Sequence, residues 1–243
     1  MKIFAYTSSL REKQSNSLII IKEVIKLLDN LCLVEEYNIA TPDKDPIELC
    51  SGCMKCVELG KCTKESVDHL QSLKDKMLSA DVIILASPVF LHNVNGPMKN
   101  FLDRLSLWSY TMPLAGKLAL PITVSNTNGN KYVDAYLTYI LNSFGAGTLE
   151  AMSIKASLMS KETIRGLTES VCMKIKRYIR GQETFTIPKC QEEYYKQMKK
   201  MLINIDKETR LYKIWEENGM FAYHDYQSLF SSKREEMDRN EKC

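Results

Sequence analysis

Apolar residues recur in two alternating patterns along the first 180 positions of the chain. Short apolar runs occupy residues 2–6, 31–39, 82–86, 118–124 and 147–154. Between and after them, apolar residues recur at helical spacing over 16–28, 66–78, 97–108, 132–144 and 161–178. The run 82–86 has no polar alternation, which is typical of a central parallel strand covered by helices on both faces. Five successive βα units predict an α/β fold with a doubly wound, five-stranded parallel sheet.

The hydrophobic pattern changes after residue 181. Charged and aromatic residues become dense, as in 192–196 and 223–226. A partial apolar stripe of helical spacing is formed by Met198, Met201, Leu202 and Ile205, and Gly219 is suited to end a helix that contains Trp215. We therefore predict a sheet domain over 1–181, with a cysteine-rich loop at 50–62, and a helical C-terminal extension over 182–243 that packs on it.

Composition and charge narrow the class of protein. The chain has 243 residues, of which 44% are hydrophobic and 26% charged, with a formal net charge of +3. These values are close to those of ordinary globular proteins and give no indication of a nucleic-acid partner. The apolar run 1–6 is far too short for a signal-peptide core or a membrane span. We expect a cytoplasmic protein with no membrane partner.

Ligands of doubly wound sheets bind outside the carboxyl ends of the strands, so the loops after the strands are the places to examine. The loop after the first predicted strand is rich in hydroxyl groups. Its candidate ligand-binding residues are Ser8, Ser9, Arg11, Ser15, Asn16 and Ser17. Hydroxyls, an arginine and free N–H groups at a helix start can hold a phosphate. Ser15 or Asn16 could equally be a plain N-cap. The loop lacks both the dinucleotide-binding glycine pattern and a P-loop lysine.

Two further loops complete the candidate site. The loop after the third predicted strand contains Pro88, Val89, Phe90, Leu91, His92 and Asn93. A flat apolar loop of this kind, with exposed amides, can lie along a ring system. The loop after the fourth predicted strand contains Ser125, Asn126, Thr127 and Gly129, which are small enough for close approach of a ligand to the backbone. Each loop alone is explained as a turn, but together they predict one ligand site.

Four of the eight cysteines fall within thirteen residues, at C-x2-C-x2-C-x5-C spacing. They are Cys50, Cys53, Cys56 and Cys62. In a reducing compartment such clustering favours metal or redox chemistry over a disulfide framework. The spacing suits a [4Fe-4S] cluster, a tetrahedral zinc site, or a cysteine-bearing loop without metal. Spacing alone leaves these three alternatives open.

The loops and one helical segment carry a resemblance to a known family. It is carried by Ser8-Ser9-Leu10-Arg11, Ser15-Asn16-Ser17, Ser87-Pro88-Val89-Phe90 through Asn93 and Gly96, and most specifically Lys99-Asn100-Phe101-Leu102-Asp103-Arg104. Over about residues 1–180 the chain resembles the flavodoxin-like NAD(P)H-dependent FMN reductases. With the cysteine motif after the second predicted strand, it is similar to the iron-sulfur flavoprotein branch. The third loop departs from the pattern, since it has Asn128-Gly129 where many relatives carry paired glycines.

The resemblance implies particular roles for the candidate residues. It implies FMN, with its phosphate near Ser8, Arg11, Ser15 and Ser17 and its ring system near Pro88 to Asn93 and Ser125 to Gly129. In the iron-sulfur branch the four cysteines of the motif bind a [4Fe-4S] cluster. We expect no catalytic side chain, because the flavin carries the chemistry. The resemblance also implies NAD(P)H as co-substrate, a small-molecule electron acceptor, and a homodimer or homotetramer.

Three functional hypotheses follow from the sequence. The first is an FMN-dependent oxidoreductase that passes electrons between NAD(P)H or a protein donor and a small acceptor, through a [4Fe-4S] cluster. The second is a flavin-only NAD(P)H-dependent reductase of quinones, azo compounds, nitro compounds or free FMN. The third is a non-enzymatic redox or metal sensor that uses the cysteine loop, because a fold does not fix a function.

Overall fold

The computed structural model describes residues 1–11 and 14–240, apart from the side chain of Asn240. Residues 12–13 of the first predicted loop and 241–243 of the predicted extension lie outside the described residues. The strands are β1 (Lys2–Thr7), β2 (Glu36–Ala40), β3 (Val82–Phe90), β4 (Asn93–Val94), β5 (Leu118–Ser125), β6 (Gly147–Thr148) and β7 (Met152–Lys155). The helices are α1 (Asn16–Asn30), α2 (Lys55–Leu59), α3 (Leu70–Ser79), α4 (Gly96–Arg104), α5 (Leu107–Thr111), α6 (Asn130–Ser143), α7 (Lys161–Ile179), α8 (Lys189–Ile203), α9 (Arg210–Glu217) and α10 (Tyr226–Asn240).

The strands form one sheet in the order β2-β1-β3-β5-β6, and all neighbours on this path are parallel. This is the flavodoxin-like order, in which the first crossover runs to one side and the later ones to the other. The predicted α/β doubly wound fold is confirmed. The predicted count of five strands is corrected to seven, because β4 pairs antiparallel with β3 and β7 pairs with β5.

The interruption between β6 and β7 has a local cause. Thr148 pairs with Ala119 and Met152 with Ile122, so the edge segment carries one residue more than β5 over the same distance. An extra residue of this kind bulges out of the ladder. Pro121 lies in the same gap and has no N–H to donate to a neighbouring strand. The single strand predicted over 147–154 is therefore two short strands.

The sheet is covered on both faces, as its uninterrupted apolar strands indicate. Alternate residues of a strand point to opposite faces. On one face, helices α3, α4 and α6 pack on Phe4, Tyr6, Ile83 and Leu85. On the other, α1 and α7 pack on Ile3, Ala5, Val82 and Ile84. The loops at the carboxyl edge of the sheet thereby rest on a rigid core.

Several predicted boundaries shift. β2 begins at Glu36 rather than near residue 31, because Cys32 adopts a positive φ of 53° at the end of α1. α3 begins at Leu70, whose N–H is accepted by the Asp68 side chain at 2.9 Å, rather than near residue 66. The helix predicted over 97–108 is broken between α4 and α5. The short helix α2 inside the cysteine loop was not predicted.

Helices α8 to α10 form a third apolar cluster with part of the sheet domain. Trp215 is fully buried, stacks on Tyr195 with a centroid distance of 5.6 Å, and donates through Nε1 to the Tyr110 carbonyl at 2.7 Å. Cys56 and Val57 of the cysteine loop pack against the same cluster. We call this group of helices the C-terminal cover. It packs on the parent domain as expected, and one of its contacts is the cysteine loop.

The predicted details of the C-terminal cover hold in part. Met198 and Leu202 of the apolar stripe are buried, whereas Met201 is 42% exposed because it lies on the outer side of α8. Gly219 follows α9 with a φ of 65°, the left-handed geometry of a helix end. In the part of the chain that the structure describes, no helix is both long and apolar enough to span a membrane.

Candidate functional site

A cavity of about 630 Å³ opens at the carboxyl ends of β1, β3 and β5. It is lined by nine of the predicted ligand-binding residues, Ser9, Arg11, Asn16, Ser17, Pro88, Val89, Phe90, Ser125 and Asn126. It is also lined by Leu10, Gln14, Asn95, Val124 and Ala156, which sequence reasoning missed. The three loops thus meet at one site, as the rule for parallel sheets requires.

One end of this cavity is the start of α1. Ser15 is the N-cap, and its Oγ accepts the Leu18 N–H at 3.1 Å. The first N–H groups of a helix have no partner within the helix, and the helix dipole makes this end positive. Arg11 and Ser17 line the cavity here, and the first turn of α1 carries no carboxylate. This end is suited to an anion such as a phosphate.

Ser8 lies behind the lining of the cavity rather than in it. It is fully buried, and its N–H donates to the Ala86 carbonyl at 3.1 Å. Its own carbonyl accepts the Asn95 side-chain amide at 2.7 Å, while Asn95 Oδ1 accepts the Met98 N–H at 3.4 Å as the N-cap of α4. Asn95 therefore joins two of the loops and lines the cavity. A polar residue directly before Gly-Pro was the available signal for it.

The predicted residues Leu91, His92 and Asn93 lie outside the cavity lining, because β3 continues into a hairpin. Leu91 and His92 form its two-residue turn, with φ values of 47° and 62°. Two successive positive φ values are typical of the tight type I′ hairpin turn, which is strained in residues other than Gly, Asn or Asp. Leu91 is 99% exposed. The predicted flat loop is thus a projecting hairpin.

The loop after β5 packs against this hairpin through Gly129. Gly129 has a φ of 89°, and a Cβ there would lie 2.8 Å from Val89 Cγ1 and 3.3 Å from the His92 ring. The His92 ring also stacks on Tyr132 with a centroid distance of 5.4 Å. Gly129 and Thr127 do not line the cavity, so the role of Gly129 seen here is to let the two loops approach each other.

Asn130 holds the other side of this loop in place. It is buried, and its Nδ2 donates to the Ile154 carbonyl at 3.1 Å and to the Thr123 carbonyl at 3.3 Å. Its Oδ1 accepts the Ser125 hydroxyl at 2.5 Å. The Asn126 carbonyl accepts the Ser157 hydroxyl at 2.7 Å. The two cavity-lining residues of this loop, Ser125 and Asn126, are thereby fixed from behind.

The cavity therefore has two chemically different parts. Hydroxyls, an arginine and helix amides lie at one end, and the apolar side chains of Pro88, Val89 and Phe90 lie beside the amides and hydroxyls of the third loop. An elongated ligand with an anionic tail and a flat ring system is complementary to both parts.

A second and much smaller cavity, of about 40 Å³, lies in the cysteine loop. All four predicted ligands, Cys50, Cys53, Cys56 and Cys62, line it. Cys50 and Cys53 are exposed, whereas Cys56 and Cys62 are partly buried. A hydrogen bond from the backbone N–H of Lys55 lowers the pKa of the Cys53 thiol. Within residues 1–11 and 14–240, no three Cys, His, Asp or Glu side chains come close enough to hold one metal ion.

The cysteine loop rests on one face of α4. Asn100 Oδ1 accepts the Cys50 N–H at 3.0 Å, and Arg104 Nη1 donates to the Glu48 carbonyl at 2.7 Å. Asn100 and Arg104 are four residues apart, so they share a face of the helix. Phe101 and Leu102, between them, are buried in the core. The cysteine loop thus packs on residues 99–104, the segment that carries the most specific family resemblance.

Strand order and cavity position together define a flavodoxin-like protein with its ligand site at the switch point of the sheet. The chain belongs to the NADPH-dependent FMN reductase family, whose model matches residues 1–158. The family is one of flavin oxidoreductases, and FMN is the cofactor it implies. The predicted family is confirmed.

Two curated relatives match part of the chain. An iron-sulfur flavoprotein of Archaeoglobus fulgidus is 31% identical over 135 residues, which are 55% of this chain and 59% of the relative. An iron-sulfur flavoprotein of Methanocaldococcus jannaschii is 32% identical over 104 residues, 43% of this chain and 51% of the relative. The chain thus matches little more than half the length of these relatives.

Two solved structures show the fold alone, because their sequence identities are low. RosB, with the bound intermediate 8-demethyl-8-formylriboflavin-5′-phosphate, has a TM-score of 0.59 at 17% identity and covers 86% of this chain and 93% of its own. An azoreductase of Bacillus anthracis has a TM-score of 0.53 at 11% identity and covers 72% of this chain and 98% of its own.

Proposed function

We propose that this protein is an FMN-dependent oxidoreductase that passes electrons between NAD(P)H or a protein donor and a small-molecule acceptor. We further propose that its cysteine loop holds a [4Fe-4S] cluster. The observation that carries the first part is the two-part cavity, positive at the α1 start and flanked by apolar side chains at the β3 end. The second part is supported by four cysteines around one cavity and by the names of the relatives.

The residues that line the larger cavity are suited to bind FMN. Arg11, Ser17 and the free amides of the α1 start would hold the phosphate, since charge-assisted hydrogen bonds and the helix dipole both favour an anion there. Pro88 to Phe90 and Ser125 to Asn126 would hold the ring, with apolar contact on its face and hydrogen bonds at its edge. FMN, when bound, supplies hydride and one-electron chemistry. The chain binds and orients the ring.

The residues of the second cavity fit a cluster with four cysteine ligands. In a [4Fe-4S] cluster each thiolate binds a different iron, so the thiols must surround a space rather than meet at one ion. The four cysteines lie around such a space. When bound, the cluster would supply one-electron transfer. The C-terminal cover packs on Cys56 and Val57 and limits access of water to this side of the loop.

Quantitation of FMN, iron and acid-labile sulfide per chain in anaerobically purified protein tests both parts of this proposal. We expect about one FMN and about four irons per chain. Protein without a flavin absorption band that takes up no added FMN would contradict the first part. Protein that binds FMN, is bleached by NADH or NADPH, and holds no iron after reconstitution would instead be the flavin-only reductase.

Paired cysteine variants locate the iron. Cys53→Ser is expected to lose iron and keep FMN, because it removes one of the four thiols around the cavity. Cys190→Ser is the matched control, since Cys190 is also exposed but lies on α8, outside the loop. Equal iron loss in both variants would rule out the cysteine loop as the iron site.

The proposed function also includes the electron donor and the oligomeric state of the protein. Bleaching of the bound FMN by NADH, NADPH or a reduced ferredoxin-type protein is expected, and a homodimer or homotetramer is expected by light scattering of the loaded protein. If none of these donors reduces the flavin while metal content changes the oligomeric state, the protein is a redox or metal sensor.

A further inference from the structure

Arg104 is a buried arginine with two unused hydrogen-bond donors. Its residue surface is only 4% exposed, and it lines the cysteine cavity. Nη1 is satisfied, since it donates to the Glu48 carbonyl and, at 2.6 Å, to the Asp68 carboxylate. Nε and Nη2 are buried as well, yet neither has a hydrogen-bond partner among the described residues.

Buried donors without partners are costly. Each unsatisfied group loses its hydration without compensation, and the cost is larger for a charged group. Nη1 alone makes the hydrogen bonds to the Glu48 carbonyl and the Asp68 carboxylate. The ammonium group of a lysine could make the same bonds, since it acts as a point charge. The planar fork of the guanidinium is therefore not explained by these two contacts.

Arg104 lines the cysteine cavity, so this cavity is the space in which to look for the missing acceptor. Burial alone would lower the pKa of Arg104, but Asp68 and the neighbouring Cys62 outweigh it and raise the pKa. Cys62 is thus close to the guanidinium, although no hydrogen bond of normal geometry joins them. The other polar residues that line this cavity are Ser51, Thr63, Lys64, Asp103 and Ser106, and none of them accepts a hydrogen bond from Nε or Nη2. Nε and Nη2 thus belong to an arginine that lines a space surrounded by four thiols.

We propose that Arg104 is a positioning residue whose Nε and Nη2 donate hydrogen bonds to sulfur atoms of the [4Fe-4S] cluster and raise its reduction potential. The inference rests on the proposed cluster. The cluster core would take up one electron, from the reduced flavin or from the reductant of a titration, and change from 2+ to 1+; no bond would break, and the guanidinium would keep its proton. The sulfurs become more negative, so N–H···S bonds stabilise the reduced state more than the oxidised one.

A redox titration of three iron-loaded proteins tests this inference. Arg104→Lys keeps a charge for Asp68 but removes the fork, and its cluster is expected to be about tenfold harder to reduce, a shift of about 59 mV to lower potential. The FMN potential, measured in the same sample, is expected to stay unchanged. Arg234→Lys is the matched control, because Arg234 is also largely buried and paired with an aspartate, Asp81, in a different part of the chain.

The outcomes separate the inference from the proposed function. Wild-type protein that holds no iron after reconstitution overturns the proposed cluster and, with it, this inference, but not the proposed FMN site. Wild-type and Arg104→Lys proteins with full iron and equal cluster potentials overturn the inference and leave the cluster in place. If Arg104→Lys fails to hold iron, pulsed EPR of the reduced wild-type cluster in ¹⁵N-arginine-labelled protein decides. A ¹⁵N coupling that is present supports the hydrogen bonds, and its absence overturns them.

Discussion

The two cavities of this protein are built by different means. The larger one lies where β1, β3 and β5 end; Asn95 joins two of its loops, and Asn130 ties the third loop to β5 and β7. The smaller one lies in a loop inserted between β2 and α3 and is held from outside by α4 and the C-terminal cover. The first site is a product of the sheet, whereas the second depends on added segments.

The backbone conformation of the cysteine loop also differs from that of a sheet. The cysteine loop contains three left-handed residues, Gly52, Met54 and Gly60, with α2 between the last two. Its walls come from side-chain hydrogen bonds and packing rather than from a strand ladder. The two sites should therefore fail separately, and variants that break only one of them show how independent they are.

Truncation of Trp215 is expected to have the largest effect. Trp215→Ala removes the largest fully buried side chain of the C-terminal cover, and such substitutions cost about 3–5 kcal/mol of unfolding free energy. Because the cover packs on the cysteine loop, we expect iron per chain to fall while FMN per chain is retained. Denaturant unfolding and cofactor quantitation measure both.

Two further variants control this experiment. Tyr37→Ala, at a residue that is 57% exposed on β2, should change neither stability nor iron content appreciably. Leu211→Ala is a milder lesion in the same apolar cluster as Trp215. If FMN and iron fall together in the milder variant as well, the two sites are not independent.

A buried lysine beside α10 of the C-terminal cover should make the unfolding free energy depend on pH. Lys117 is buried, donates to the Ala80 carbonyl at 2.8 Å, and lies near Asp81 and Arg234 of α10. Burial lowers the pKa of Lys117 from 10.5 to about 8. The unfolded state therefore binds more protons between these values, so unfolding free energy should rise from pH 8 to pH 10.5 by up to about 3 kcal/mol.

Lys117→Met isolates this contribution. The rise is expected to vanish in the variant, and the difference between variant and wild type removes the effect of tyrosine ionisation in the same range. Lys155→Met, at an exposed lysine, should leave the rise intact. A rise of equal size in Lys117→Met would show that other groups cause it.

Asn130→Ala is expected to damage the larger cavity alone. It leaves the Thr123 and Ile154 carbonyls without their buried donor and frees Ser125, at a cost of about 1–3 kcal/mol in stability. We expect FMN affinity to fall about tenfold while iron per chain stays constant. Asn128→Ala, in the exposed part of the same loop, is the control for fluorescence titration of FMN.

Arg11→Met should have the smallest effect. It removes one charge from the α1 end of the cavity, and loss of a charge-assisted hydrogen bond to a phosphate weakens FMN binding by about tenfold without a change in stability. Riboflavin, which has no phosphate, should bind wild type and variant equally. Lys22→Met removes the same charge from an exposed position on α1 and should leave FMN affinity unchanged.

Much of the fold could be predicted because parallel strands have long apolar runs and their loops meet at one edge. The run 82–86 placed β3 correctly, whereas α3 begins later than its spacing indicated and the helix predicted over 97–108 is broken between α4 and α5. Directions of single side chains could not be predicted. Ser8 and Ser9 are adjacent hydroxyls, but Ser8 turns into the core and Ser9 lines the cavity.

Local geometry without a sequence signal was also missed. The β3–β4 hairpin turns through Leu91 and His92, which lack the Asn-Gly pattern typical of such turns. The five residues of α2 are too few for a helical periodicity to show. Gln14 could not be predicted because only the three-dimensional path of the loops brings it to the cavity, whereas Asn95 had a sequence signal in its position directly before Gly-Pro.

Helix α4 connects the two cavities and fixes the distance between them. Its N-cap, Asn95, lines the larger cavity, and its last residue, Arg104, lines the smaller one. Nine steps of 1.5 Å along a helix place these residues about 14 Å apart, a distance set by backbone geometry rather than by side chains. Insertion of one residue into α4 would lengthen the helix by only about 1.5 Å but rotate its last residue about the helix axis by about 100°. The length of a single helix thus sets both the spacing and the relative orientation of the two cavities.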